Sequence, residues 1–218
     1  MEILKSTELE KAAELLRKGE VIAFPTETVY GLGVIYDNKE AYDKLVKVKR
    51  RPPNKPFTLM LADIEDVEKY AELNEVAKTL VKNFMPGQFT MITTAKPGLP
   101  QWCVSEIGRV GIRIADYDLI RDLIRKTGKP LLVPSANRAG EEPGTTAQQV
   151  VDTFGDEFPA VVDGKTVSNT PSTVVMVEDK YTHIFREGAI TMEQIKKVIS
   201  EEQINESSNR KRSRRIHI

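Results

Sequence analysis

Four short apolar runs constrain this chain most: Val21–Phe24, Phe57–Leu61, Pro130–Val133 and Val174–Val177. Each is too short for a helix and reads as a brief, largely buried strand. The runs do not fade into ordinary loops. Pro25 ends the first and removes a ladder donor. Three side-chain oxygens follow on Thr26, Glu27 and Thr28, with Gly31 and Gly33 freeing the backbone. The third run meets Ser135 and Asn137, and Ser172-Thr173 leads into the fourth. Strand ends dressed with small polar groups are where open α/β sheets place ligands.

Helical periodicity fills the gaps. Thr7 and Glu10 form a capping-box pattern ahead of Leu9, Ala12, Ala13 and Leu16, with Gly19 as the stop. Asn38 starts a second helix along Ala41, Leu45 and Val48, which cannot pass Arg51 because Pro52-Pro53 follows. A third runs from about Asn74 to Phe84. Asp116 caps a fourth, closed by Gly128; Thr146 caps Ala147–Phe154; a last one spans about Met192 to Ile204. Phe89–Thr93, Arg109–Ile114 and Val161-Val162 add strands, and Tyr181–Phe185 forms a hairpin with the fourth run. Pro25–Gly33 and Lys96–Ile107 read as loops. Strands and helices alternate without strict order, so the expected fold class is α/β: one domain with a twisted mixed β-sheet flanked by helices. Its catalytic domain covers residues 1–204, and a basic, disordered tail covers 205–218.

Composition excludes several classes. No apolar stretch approaches a membrane span, and the start of the chain lacks a signal-peptide layout, so the expected location is cytoplasmic. Cys103 is the only cysteine, which rules out an intrachain disulfide, and no histidine pattern accompanies it. Net charge is zero but uneven. Five basic residues lie in Arg210–Arg215; the rest holds 27 Lys and Arg against 32 Asp and Glu, a net of −5. Inside that mildly acidic body, Lys44, Lys47, Lys49, Arg50, Arg51 and Lys55 concentrate positive charge, which suits a local anion site.

Guanidinium, ammonium, hydroxyl and amide groups near strand ends (Lys49, Arg51, Lys55, Arg109, Arg113, Arg186 beside Thr28, Ser135, Asn137, Ser172) suit a polyphosphate and a carboxylate. Plain structural readings stand beside this one. Ser135 and Asn137 also suit a turn, the run 44–55 suits a solvated helix face, and Arg113 suits an internal ion pair. No Walker loop and no Gly-x-Gly-x-x-Gly is present.

Phe24–Gly33, Lys49–Pro56, Pro134-Ser135-Ala136-Asn137-Arg138-Ala139-Gly140, Pro171–Val175 and Arg186–Ile190 together resemble, in order, the motifs of the YrdC-like family of threonylcarbamoyl-AMP synthases. The resemblance covers residues 20–190. It implies a nucleotidyltransferase that makes threonylcarbamoyl-adenylate and pyrophosphate from L-threonine, bicarbonate and ATP, with Mg2+ on the phosphates. It implies a deep basic cavity and a tRNA-modification role through a downstream threonylcarbamoyl transferase complex. By the same resemblance Lys49 and Arg51 are catalytic, and Thr28, Met60, Arg113, Val133 and Ser172 serve threonine. Arg51, Lys55, Arg109, Ser135, Asn137, Pro143 and Arg186 serve ATP, with no protein metal ligands. Met60 departs from a histidine frequent in the family, and Lys55 from an asparagine. The C-terminal domain of longer relatives is not matched. The rival class is an RNA-binding module, favoured by the basic segment and tail but opposed by sparse aromatics.

Overall fold

The computed structural model describes residues 1–52, 55–168, 170–179 and 181–199. Its ten strands form one mixed sheet: β1 Glu2–Leu4, β2 Ile22–Phe24, β3 Gly31–Ile35, β4 Leu59–Met60, β5 Phe89–Thr94, β6 Arg109–Arg113, β7 Leu131–Leu132, β8 Ala160–Val162, β9 Thr173–Val177 and β10 Thr182–Arg186. The spatial order is β1-β8-β2-β3-β7-β4-β6-β5-β9-β10. Four pairs are parallel (β1 with β8, β2 with β8, β4 with β6, β5 with β9) and the others antiparallel. Around it lie α1 Leu9–Arg17, α2 Lys39–Lys49, α3 Val67–Tyr70, α4 Glu75–Phe84, α5 Asp118–Thr127, α6 Ala147–Phe154 and α7 Met192–Lys196. The mixed α/β sheet with flanking helices is the expected architecture.

Strand alternation divides the interior into two cores. Val21 and Ala23 enter one with Leu45, Val48, Leu80 and Val150, from the helix layer of α2, α4 and α6. Ile22 and Phe24 enter the other with Ala12, Leu16, Ile120 and Leu123, from α1 and α5. A strand buried on both faces must be apolar throughout, which explains the unbroken run at Val21–Phe24. On the second face α1 packs against α5, β2, β3 and β8. Over β5, β6 and β9 a cavity opens.

Several local expectations need correction. Pro25–Gly33 is not all loop, because β3 begins at Gly31. Its glycines are there for packing: a Cβ on Gly33 would sit 2.4 Å from Phe24 Cε1. Thr7 does not cap α1; Glu8 holds that position without a side-chain cap bond, and Glu10 is drawn instead to Arg17 at 2.8 Å. Tyr117, not Asp116, precedes α5, and the Asp116 N–H is donated to Glu27 Oε1 at 3.2 Å. The run Phe57–Leu61 narrows to two paired residues. Gln101–Cys103 forms a 3-10 turn within the expected loop. Helix α7 ends at Lys196, while residues 200–204 and the basic tail 205–218 lie outside the described residues.

Candidate active site

The cavity encloses about 700 Å³. Period-two alternation supplies its floor. On β6, Val110 and Ile112 enter the core while Arg109, Gly111 and Arg113 line the cavity. On β5, Phe89 and Met91 go to the core and Thr90 and Ile92 to the cavity; β9 does the same with Val174 and Met176. Walls come from Thr26 and Thr28–Gly31 after β2, from Lys49 and Arg51 at the end of α2, and from Val133–Ser135 and Asn137 after β7. Pro171, Ser172 and Arg186 close the remaining side.

Lys49 ends α2, because Arg50 adopts a left-handed conformation (φ 51°) and Pro52 follows. Its buried Nζ donates to the Ser135 carbonyl at 2.7 Å, Ser135 Oγ at 3.3 Å and Asn137 Oδ1 at 2.6 Å. Burial, and then the charge of Arg51, bring its ammonium down to about 7. Arg51 lies over the Phe57 ring at 5.2 Å, and burial lowers its affinity for a proton. Across the cavity, buried Arg113 pairs with Glu27 at 2.9 Å and donates to Thr28 Oγ1 at 3.2 Å. The Thr28 hydroxyl also meets that of Thr26 at 3.0 Å. Arg186 donates from Nε to the Ser172 carbonyl at 3.0 Å and from Nη2 to Ser172 Oγ at 3.3 Å. Burial, and then the like charge of Arg113, disfavour its charged form. Arg109 donates to Thr94 Oγ1 at 2.6 Å.

Five cationic side chains and two carboxylates, Glu106 and Glu142, therefore line one cavity. Thr28, Lys49, Arg51, Met60, Arg109, Arg113, Val133, Ser135, Asn137, Pro143, Ser172 and Arg186 all lie in its wall. Lys55 does not line it. Its N–H donates to the Pro52 carbonyl at 3.3 Å. Both readings of Arg113 hold at once, since the residue with an internal acid partner is also a cavity residue. Sequence reasoning missed Thr90, whose hydroxyl meets Ser172 Oγ at 2.9 Å, and the wall residues Glu106 and Glu142. Period-two alternation along Phe89–Thr94 would have put Thr90 on the non-core face. Nothing local marks the two glutamates.

Fold and cavity together describe an α/β protein with a cation-lined cleft suited to small anionic ligands. The chain belongs to the Sua5/YciO/YrdC family: the family model, described as telomere recombination, matches residues 14–188. It is 40% identical over 195 residues to the threonylcarbamoyl-AMP synthase of Bacillus subtilis, covering 88% of this chain and 56% of that protein. A putative threonylcarbamoyl-AMP synthase of Methanocaldococcus jannaschii is 34% identical over 197 residues, covering 88% of this chain and 93% of the relative. The crystal structure of P. abyssi Sua5 complexed with L-threonine superposes with a TM-score of 0.88 at 30% identity, over 94% of this chain and 63% of that one. The chain thus spans little more than half of the B. subtilis relative and nearly all of the M. jannaschii one.

Proposed function

We propose that this chain is an L-threonylcarbamoyl-adenylate synthase. The observation that carries the reading is the convergence of two polar groupings, Thr28 with Arg113 and Lys49 with Ser135 and Asn137, in one 700 Å³ cavity. That volume falls within the roughly 300–1,000 Å³ of small-molecule sites. The likeness to a Sua5 complexed with L-threonine supports the choice of amino acid.

In this reading the threonine amine attacks carbon dioxide, with loss of a proton, or bicarbonate, with loss of water, and a carbamate forms. A carbamate oxygen attacks the α-phosphorus of ATP, and pyrophosphate leaves with the bonding electrons of the bridging oxygen. No protein nucleophile is required. The chain contributes proximity and charge neutralisation. Arg113 and Thr28 hold the threonine carboxylate, with Ser172, Met60 and Val133 around the rest of that molecule. Lys49 and Arg51 face the phosphates; Ser135, Asn137, Pro143, Arg109 and Arg186 serve the nucleotide. Lys55, off the cavity wall, has no part in this assignment. Magnesium enters on the ATP phosphates as part of the substrate, a mode that suits hard oxygen ligands. Among the described residues, no group of three or more His, Cys, Asp or Glu stands together as a metal site. The product would feed tRNA adenosine modification by a downstream threonylcarbamoyl transferase complex, in the cytoplasm.

An RNA-binding module gains no support from cations that line a cavity, with Lys49 and Arg113 buried. The test is pyrophosphate release from ATP and bicarbonate, with and without L-threonine. Release should depend on threonine. Equal cleavage without it, or formation of ADP and phosphate, refutes the assignment.

A further inference from the structure

Behind the cavity wall lies a carboxylate that the proposed chemistry does not use. Glu27 is 4% exposed and is not a lining residue. Its Oε1 takes the Arg113 Nη2 at 2.9 Å and the Asp116 N–H at 3.2 Å. Its carbonyl accepts the N–H groups of Val167 and Ser168 at 3.2 and 2.9 Å, tying down the segment that leads toward Ser172. One residue therefore joins the loop after β2, the end of β6 and the approach to β9.

The pairing is incomplete on both sides. Glu27 Oε2 and Arg113 Nε are buried without a hydrogen-bond partner among the described residues. A purely structural buried ion pair is stabilising only when its remaining donors and acceptors are met. Here the contacts of Arg113 with Glu27 and Thr28 both fall on Nη2, and a donor on the same group stays unspent. Arg186 lies near enough for its like charge to be disfavoured by Arg113.

We propose that Glu27 is a positioning residue: from outside the cavity it fixes the Arg113 guanidinium so that the edge of the group lining the cavity meets the amino-acid carboxylate. The proposal rests on the threonine reading above. It sets two effects of Glu27 against each other. Its negative charge reduces the pull of Arg113 on a second carboxylate, while its hydrogen bond holds the fork in place. Partners behind metal-ligating side chains change affinity roughly 10- to 100-fold when removed; by analogy orientation is taken as the larger effect here.

Glu27→Gln keeps the shape and removes the charge-assisted bond. L-Threonine, L-threoninamide and ATP are titrated separately into wild type and variant by calorimetry. The expected result is about tenfold weaker threonine binding, about 1.4 kcal/mol, with ATP and threoninamide affinities within about twofold. The preference for the carboxylate over the amide then shrinks, which a general loosening of the fold would not produce. Should Glu27→Gln fail to give a folded melting transition, Glu27→Asp keeps the charge and draws the anchor back by one methylene. Its threonine affinity should fall in the same selective way. Unchanged or tighter threonine binding in a folded variant, or equal weakening of all three ligands, overturns the proposal alone. Failure of wild type to bind L-threonine overturns the threonine reading and this proposal with it.

Discussion

Lys49 carries a pH signature that can be measured without any substrate. Its buried ammonium loses its proton near 7, against an ordinary value of 10.5. Between those values the unfolded chain binds one proton more than the native one. Stability therefore rises with pH across that window: the cost of burying the charge is present in full below about 7 and is relieved toward about 10. At 1.36 kcal/mol per unit, and allowing for the half-titrated state at the start, raising the pH from 7 to 9 is worth about 2 kcal/mol. The three oxygens around Nζ favour the charged form, which makes this an upper bound. The perturbation is Lys49→Met, which keeps the length and removes the titration. Urea unfolding of both proteins at pH 7, 8 and 9 gives the difference in stability between them. Subtraction cancels the other buried groups, notably Cys103, Tyr30 and Tyr70, each pushed up to about 12 by burial. The gap should move in favour of wild type by up to about 2 kcal/mol from pH 7 to 9. A gap constant to within about 0.5 kcal/mol would refute the reasoning and leave Lys49 charged throughout.

Three further outcomes are expected. If ATP phosphates restore the Lys49 charge, ATP binding at pH 8 should take up close to one proton, read by calorimetry in buffers of different ionisation enthalpy. Arg113→Lys should weaken threonine by more than about tenfold and leave ATP nearly unchanged, because an ammonium cannot keep the Glu27 contact and still offer a fork. Gly188→Ala should destabilise by about 1–3 kcal/mol in chemical denaturation and lower turnover, since the added Cβ would lie 2.1 Å from the Pro171 carbonyl oxygen, next to Ser172.

The local signals in this chain could be read without the fold. Asn38, Asn74 and Thr146 each accept a backbone N–H from the first turn of their helices, and Gly128 closes α5 at φ 75°. These are contacts within a few residues, so nearby sequence determines them. The same holds for Val110, Ile112, Arg109 and Arg113, whose two faces follow from alternation alone. The family resemblance also named twelve residues that share one cavity wall.

Tertiary structure decided the rest, wherever the partner is distant in sequence. Strand β1 exists because Glu2–Leu4 finds Ala160–Val162, and no local pattern announces a three-residue strand. Gly31 and Gly33 read as a loop until Phe24 and Val133 are seen packed against the places their side chains would take. Glu10 and Asp116 were available as caps, but Arg17 claimed the side chain of the first and Glu27 the N–H of the second. Glu27 looked like one of three oxygens on a polar loop. Eighty-odd residues separate it from Arg113, and only the sheet brings β6 under that loop, so an ion pair that sequence left as one reading among several became the back wall of the site.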